Sequence, residues 1–145
     1  MANVVYNGFK GKIGSINWED NTNVSIKVML VSDTYTPDID LHVSKGDIDA
    51  ISGAEVTGTG YTAGGAGIVN RAITVDTATD FAKYDADDVT WSNSTITARG
   101  AIVYLDTGTA GTSTLITYVD FVSNKSSNSG DFLIQWNADG IFKIG

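Results

Sequence analysis

Residues 23–31 alternate in character, with Val24, Ile26, Val28 and Leu30 on one face and Ser25, Lys27 and Met29 on the other. A period of two belongs to an extended chain with one face buried, so this stretch predicts a half-buried strand. Ser32-Asp33 and Tyr35-Thr36-Pro37-Asp38 follow it. The single proline fixes φ and has no amide to donate, which predicts a turn there. From residue 55 onward, short apolar runs recur at 55–62, 71–75, 89–91, 96–105, 115–122, 132–136 and 141–144, and each predicts a strand. The breaks between them carry turn chemistry: Asp106-Thr107-Gly108, Asn128-Ser129-Gly130 and Asn137-Ala138-Asp139-Gly140. The serine-rich stretch 123–129 predicts an exposed loop. Strands at this spacing predict an all-β fold, a single-domain β-sandwich or a jelly-roll-like arrangement over residues 1–145.

Helical signals are few. Ser44 is placed to cap a helix, Asp47 lies in its first turn, Ile48 and Ile51 share a face, and Gly53 would end it, which predicts one or two turns over 44–51. Val5, Phe9, Ile13 and Ile16 also have helical spacing, but Gly8, Gly11 and Gly14 each cost about 1 kcal/mol relative to alanine inside a helix. Residues 1–20 therefore read as an N-terminal arm or a weak helix.

Composition narrows the function. A chain of 145 residues has the size of one domain and buries roughly 70% of its unfolded surface. It has no cysteine, so disulfides, thiolate metal sites and thiol nucleophiles are excluded. The N-terminus has no basic residue before Lys10 and no long apolar stretch, unlike a secretory signal, and no apolar run approaches the roughly 20 residues of a membrane span. Nine basic against seventeen acidic residues give a net charge of −8, and no two basic residues are adjacent. A nucleic-acid binder needs clustered cations to displace counterions from phosphates, so nucleic acid is a poor partner.

Catalytic patterns are sparse. Gly58-Thr59-Gly60-Tyr61-Thr62-Ala63 matches a dinucleotide fingerprint and has Asp80 about twenty residues on, but Gly64-Gly65-Ala66-Gly67 follows where a helix would have to open, so a glycine-rich turn or strand edge is the better reading. His42 is the only histidine, which excludes a site built on several imidazoles; Asp38 and Asp40 lie near it in sequence, yet no nucleophile elbow accompanies them. Asp85, Asp87 and Asp88 could ligate calcium or act as paired carboxylates, but their spacing is not that of a calcium loop. We expect no catalytic residues, no cofactor and no metal, with those three aspartates the candidates should calcium bind. Trp18, Trp91 and Trp136 could stack on a sugar; the plainer expectation is that Trp91 and Trp136, at strand ends, close one end of the core. Arg99, inside an apolar strand, is expected to pair with Asp120 or Glu55.

Several stretches together are similar to a family of small virion structural proteins of tailed bacteriophages. They are Tyr6-Asn7-Gly8-Phe9-Lys10, Ile26-Lys27-Val28-Met29-Leu30-Val31, Tyr35-Thr36-Pro37-Asp38-Ile39-Asp40, the run from Glu55-Val56-Thr57 through Gly64-Gly65, Asp87-Asp88-Val89-Thr90-Trp91, Thr95-Ile96-Thr97-Ala98-Arg99-Gly100, Gly130-Asp131-Phe132 and Trp136-Asn137-Ala138-Asp139-Gly140-Ile141. Gly8, Gly11 and Gly14 depart from it, standing where better helix formers are expected. The resemblance implies a non-enzymatic structural role. Charge and size favour a decoration or cement protein that binds the major capsid protein on the outer surface of the head. It would be assembled in the host bacterial cytoplasm and would oligomerise, most simply as a trimer. The alternative is a tail or fibre component that binds carbohydrate on the host surface.

Overall fold

The computed structural model describes residues 3–145. Strands occupy 43% of the chain and helices 8%, so the fold is all-β. In chain order the elements are β1 (Val4–Val5), α1 (Asn7–Lys10), β2 (Ile26–Val31), α2 (Lys45–Asp49), β3 (Ala66–Gly67), β4 (Ala72–Asp76), β5 (Phe81–Asp85), β6 (Val89–Ser94), β7 (Thr97–Leu105), β8 (Leu115–Ser126), β9 (Gly130–Ile134) and β10 (Phe142–Ile144). A five-stranded sheet has the order β1-β8-β7-β2-β3, a second has the order β10-β5-β4, and β6 pairs with β9; all the pairings are antiparallel.

Alternation along the central strands sends their side chains into two separate cores. Ile26, Val28 and Leu30 of β2, with Ala101 and Val103 of β7, meet Trp91, Phe132 and Phe142 from the two smaller sheets. That is the sandwich. Met29 and Val31, with Ile102, Tyr104, Leu115 and Tyr118, point the other way and pack on Tyr6, Tyr35, Ile48 and Ala54. The expectation of a half-buried strand is therefore corrected: past Lys27 both faces of β2 are covered, and Met29 is fully buried. Helix α2 supplies part of that second cover through Ile48, and Asp47 Oδ2 fastens its start by accepting the amides of Val43 and Ser44 (2.9 and 2.8 Å).

Several sequence expectations need correction. Of the stretch expected to be an N-terminal arm or a weak helix, residues 3–20 form β1, the single turn of α1 and irregular chain packed on the core; residues 1–2 lie outside the described residues. Phe9 and Trp18 are 1% and 2% exposed, because their rings pack edge-on against Phe142. The strand expected over 55–62 is instead irregular: its backbone joins the sheets through isolated bridges, Glu55 opposite Val31 and Thr59 opposite Thr95, and the Tyr61 hydroxyl accepts the Leu30 amide (3.0 Å). Its glycines permit close backbone approach. Gly65 has φ +79°, and a Cβ there would fall 1.8 Å from the Val28 carbonyl oxygen. The loop expected over 123–129 is partly strand, since β8 runs on to Ser126 and pairs there with Thr97. β9 ends at Ile134, so Trp136 lies beyond the strand expected to carry it.

Sheet β10-β5-β4 is tied to the rest by Arg71, which is 5% exposed. Its guanidinium donates to four backbone carbonyls: Nε to Trp18 (2.8 Å), Nη1 to Ile68 (2.7 Å), and Nη2 to Asp20 (2.6 Å) and Val24 (2.7 Å). Among the described residues no carboxylate pairs directly with this cation, although the Asp20 carboxylate is near enough to act on it electrostatically; carbonyl dipoles replace its hydration. The same loop covers the outer edge of β4. The Asn21 carboxamide accepts from the Arg71 amide and donates to the Arg71 carbonyl, and Glu19 accepts the Ile73 amide. These contacts occupy an edge that would otherwise be open to pairing with another chain.

Replacing Arg71 with alanine strands four buried carbonyls, and should lower the unfolding free energy by roughly 3 kcal/mol or more. Arg71→Lys should recover little of it, because an ammonium cannot span four acceptors. Urea titration with an unchanged m-value checks this; a loss under about 0.5 kcal/mol, the range of ordinary surface changes, would contradict it.

Candidate functional site

The residues singled out for chemistry do not converge. His42 Nδ1 accepts the Asp38 amide (3.1 Å) and lies 3.0 Å from the Tyr35 hydroxyl, which in turn meets the buried Tyr6 hydroxyl at 2.6 Å. Burial pushes the Tyr35 phenol up to about 12 and the Tyr6 phenol well above its usual value, so both remain neutral hydrogen-bonding groups. The Asp38 carboxylate faces the amides of Asp40 and Leu41 and closes a turn, instead of orienting the imidazole. The histidine thus sits in a hydrogen-bonded chain that ties α1 and the 35–42 loop together.

The acidic stretch before β6 is equally committed. Asp87 Oδ2 accepts the Asn70 amide group (2.6 Å) and Asp88 Oδ1 accepts the Trp136 backbone amide (2.9 Å). Asp85 offers its backbone carbonyl to the Trp18 indole (3.2 Å). Among the described residues no group of three or more histidines and carboxylates gathers as metal ligands would. No helix among them is long and apolar enough to cross a membrane.

Asp87 and Asp88 instead position Trp136. The indole N–H donates to the Asp87 carbonyl (2.9 Å), so the ring is held at both its backbone and its far end. Trp91 is buried against Phe132, as expected of a ring closing the core, whereas Trp136 is only half-buried. Trp136 lines an open cleft of about 500 Å³ between β8 and β9, together with Phe121, Lys125, Asp131, Phe132 and Gln135.

The cleft owes its shape to an irregularity in β8. Ala98 pairs with Lys125 and Gly100 with Asp120, so residues 121–124 stand opposite Arg99 alone and bulge from the ladder. Val122, at the crest, has φ +70° and is 79% exposed, an unusual conformation for a β-branched residue. Asp120 holds it there by accepting the Val122 amide (2.8 Å), and also pairs with the Arg99 guanidinium. The expected partner of Arg99 is thus Asp120, not Glu55, which accepts the Tyr61 hydroxyl and the Gly64 amide. On the outer edge of β8, Asn3 Oδ1 accepts the Asp120 amide (2.7 Å).

Burial would raise the Asp120 pKa, but donors that include the Val122 amide and Arg99 overcome this and hold it at about 2. A bulge re-aims the side chains around it, and here it sets Phe121 on the cleft wall. The arrangement offers shape, an anchored ring and the exposed polar side chains of Lys125, Asp131 and Gln135.

Comparison of the chain with protein-family models, curated proteins and solved structures finds no match in any of the three.

A carboxyl held below its ordinary value contributes stability that is complete above about pH 4 and is lost as pH falls toward 2. Asp120→Asn should therefore be less stable than the parent at pH 7, by roughly 1–2 kcal/mol. It should also lose less stability than the parent between pH 4 and pH 2. Urea unfolding of both proteins across that range measures the difference, and parallel profiles would show that Asp120 does not hold the bulge.

Proposed function

We propose that this chain is a structural protein of a tailed-phage particle, a decoration or cement protein seated on the outside of the head. What supports the reading is the resemblance noted in the sequence, carried by segments from Tyr6-Asn7-Gly8-Phe9-Lys10 to Trp136-Asn137-Ala138-Asp139-Gly140-Ile141, together with the net charge of −8. In the fold these segments do structural work. The Glu55 to Gly65 run brings Gly65 against β2, and the final segment begins with Trp136 at the cleft and ends at Ile141 in the core.

Physical chemistry supports the outer surface. Packaged DNA is a dense polyanion, and a chain of net charge −8 with its cations dispersed would be repelled from it. A rigid unit repeated by the shell's symmetry gains avidity by touching more than one copy of the major capsid protein, and stabilises the assembled state that it binds. A closed trimer on a threefold axis is the simplest oligomer for that use. A tail or fibre component that binds host carbohydrate is the second reading, and the half-buried Trp136 in an open cleft is what favours it.

Mass spectrometry and cryo-electron microscopy of purified particles test the first reading. It expects a copy number that follows the symmetry of the head, with density outside the shell. Absence from the particle, or a few copies confined to the tail, would overturn it.

A further inference from the structure

The cleft between β8 and β9 has a lining that selects among ligand classes. Its aromatic member is set before anything binds. Trp136 is anchored through its indole N–H to the Asp87 carbonyl and through its backbone amide to Asp88, so stacking on it costs little side-chain entropy. The polar members are unspent. Lys125, Asp131 and Gln135 are exposed, and none of their side chains makes a hydrogen bond or ion pair within the described residues. Other charged groups are engaged: Lys27 with Asp106, Lys45 with Asp49, and Lys83 with Asp76 and Asp139.

Asp120, which also lines the cleft, is paired with Arg99, and the remaining cation Lys125 and carboxylate Asp131 cancel, so the cleft has no cationic surplus with which to recognise phosphate or sulfate. Its apolar wall, chiefly Phe121, Phe132 and Trp136, is interrupted by these polar groups and does not form the continuous surface that a lipid chain needs. A neutral polyhydroxylated ring suits both parts. Its C–H face lies against the negatively polarised face of an indole, while its hydroxyls both donate and accept. The volume of about 500 Å³ lies within the range of small-molecule sites and leaves room for a short oligosaccharide.

We infer that this cleft is a carbohydrate site in which a neutral pyranose unit stacks on Trp136 and hydrogen-bonds to Lys125, Asp131 and Gln135. The inference deepens the second reading, carbohydrate binding at this cleft, and its test is separate from that of the head assignment: glycan binding is measured on the isolated protein, and location on the particle is measured without glycan.

The test is a titration of the full, isotopically labelled chain, followed by amide and indole NMR shifts. The probes are the methyl glycosides of glucose, galactose, N-acetylglucosamine and rhamnose, and short homo-oligomers of each. At least one probe should give saturable shifts centred on Phe121, Lys125, Asp131 and the Trp136 indole. Trp136→Ala should weaken its binding by at least about tenfold. Gln135→Ala, an exposed change that leaves the core intact, should weaken it several-fold with an unaltered melting temperature, and so guards against loss through misfolding. Val75→Ala, an exposed change on β4 outside the cleft lining, should bind as the parent does. Absence of saturable shifts for every probe, shifts centred elsewhere, or affinity unchanged in both cleft variants would overturn the inference. So would saturable pairing of an extended peptide with the β9 edge in the absence of any glycan binding.

Discussion

Cover on both faces of β2, β7 and β8 is the constraint from which the rest of the structure follows. These strands lie side by side in the central sheet, and their alternate side chains enter two distinct clusters, one shared with the small sheets and one closed by Tyr6, Tyr35, Ile48 and Ala54. A register slip of one residue would exchange the two sets, and with apolar groups on both sides that exchange is resisted by shape more than by polarity. Gly100 illustrates the fit: a Cβ there would fall 2.6 Å from the Tyr118 ring. The second cover also explains why Tyr6, Tyr35 and Ile48, from stretches with few regular elements, are parts of the core, while Phe9 and Trp18 join the first cluster.

The edges of this framework are treated differently from one another. β4 is covered by Asn21 and Glu19, and the β1 and β3 edges are only two residues long. Those are means of preventing unwanted strand pairing. The outer part of β8 and the far side of β9 instead face a cleft that contains a fixed indole, a strained bulge and uncommitted polar side chains. Strained backbone persists where the surroundings over-determine it, and such places are often the ones that meet a ligand. The contrast between closed edges and an open cleft is the observation on which the proposed carbohydrate site rests.

Much of the fold was legible in the sequence because strong period-two patterning and turn residues coincide. β2, β4, β7, β9 and β10 fall close to their expected places, and Ser44 with Asp47 correctly marked the start of α2. β5 escaped because Phe81-Ala82-Lys83-Tyr84-Asp85 alternates weakly, with Lys83 on a strand paired on both sides and neutralised by Asp76 and Asp139. Residues 55–62 mislead in the other direction: Val56 and Tyr61 pack on the sheets, but glycine-shaped turns limit the backbone to isolated bridges instead of a ladder. The site was less legible. Arg71 looked like the start of a strand, since nothing local reveals that four carbonyls from distant residues converge on it. The aspartates at 87 and 88 drew attention as possible ligands, and their actual task, holding Trp136, depends on a contact forty-eight residues away. The bulge in β8 had no sequence signal either, because the left-handed position that usually takes glycine is occupied by Val122.

Amide hydrogen exchange read residue by residue tests the framework most directly. The account predicts that the slowest amides, exchanging only through global unfolding, belong to β2, β7 and the first half of β8, covered on both faces, while β4, β9 and residues 121–124 open at lower cost. Protection highest in the β10-β5-β4 sheet, or uniform across all the strands, would contradict the claim that the doubly covered centre holds the molecule together.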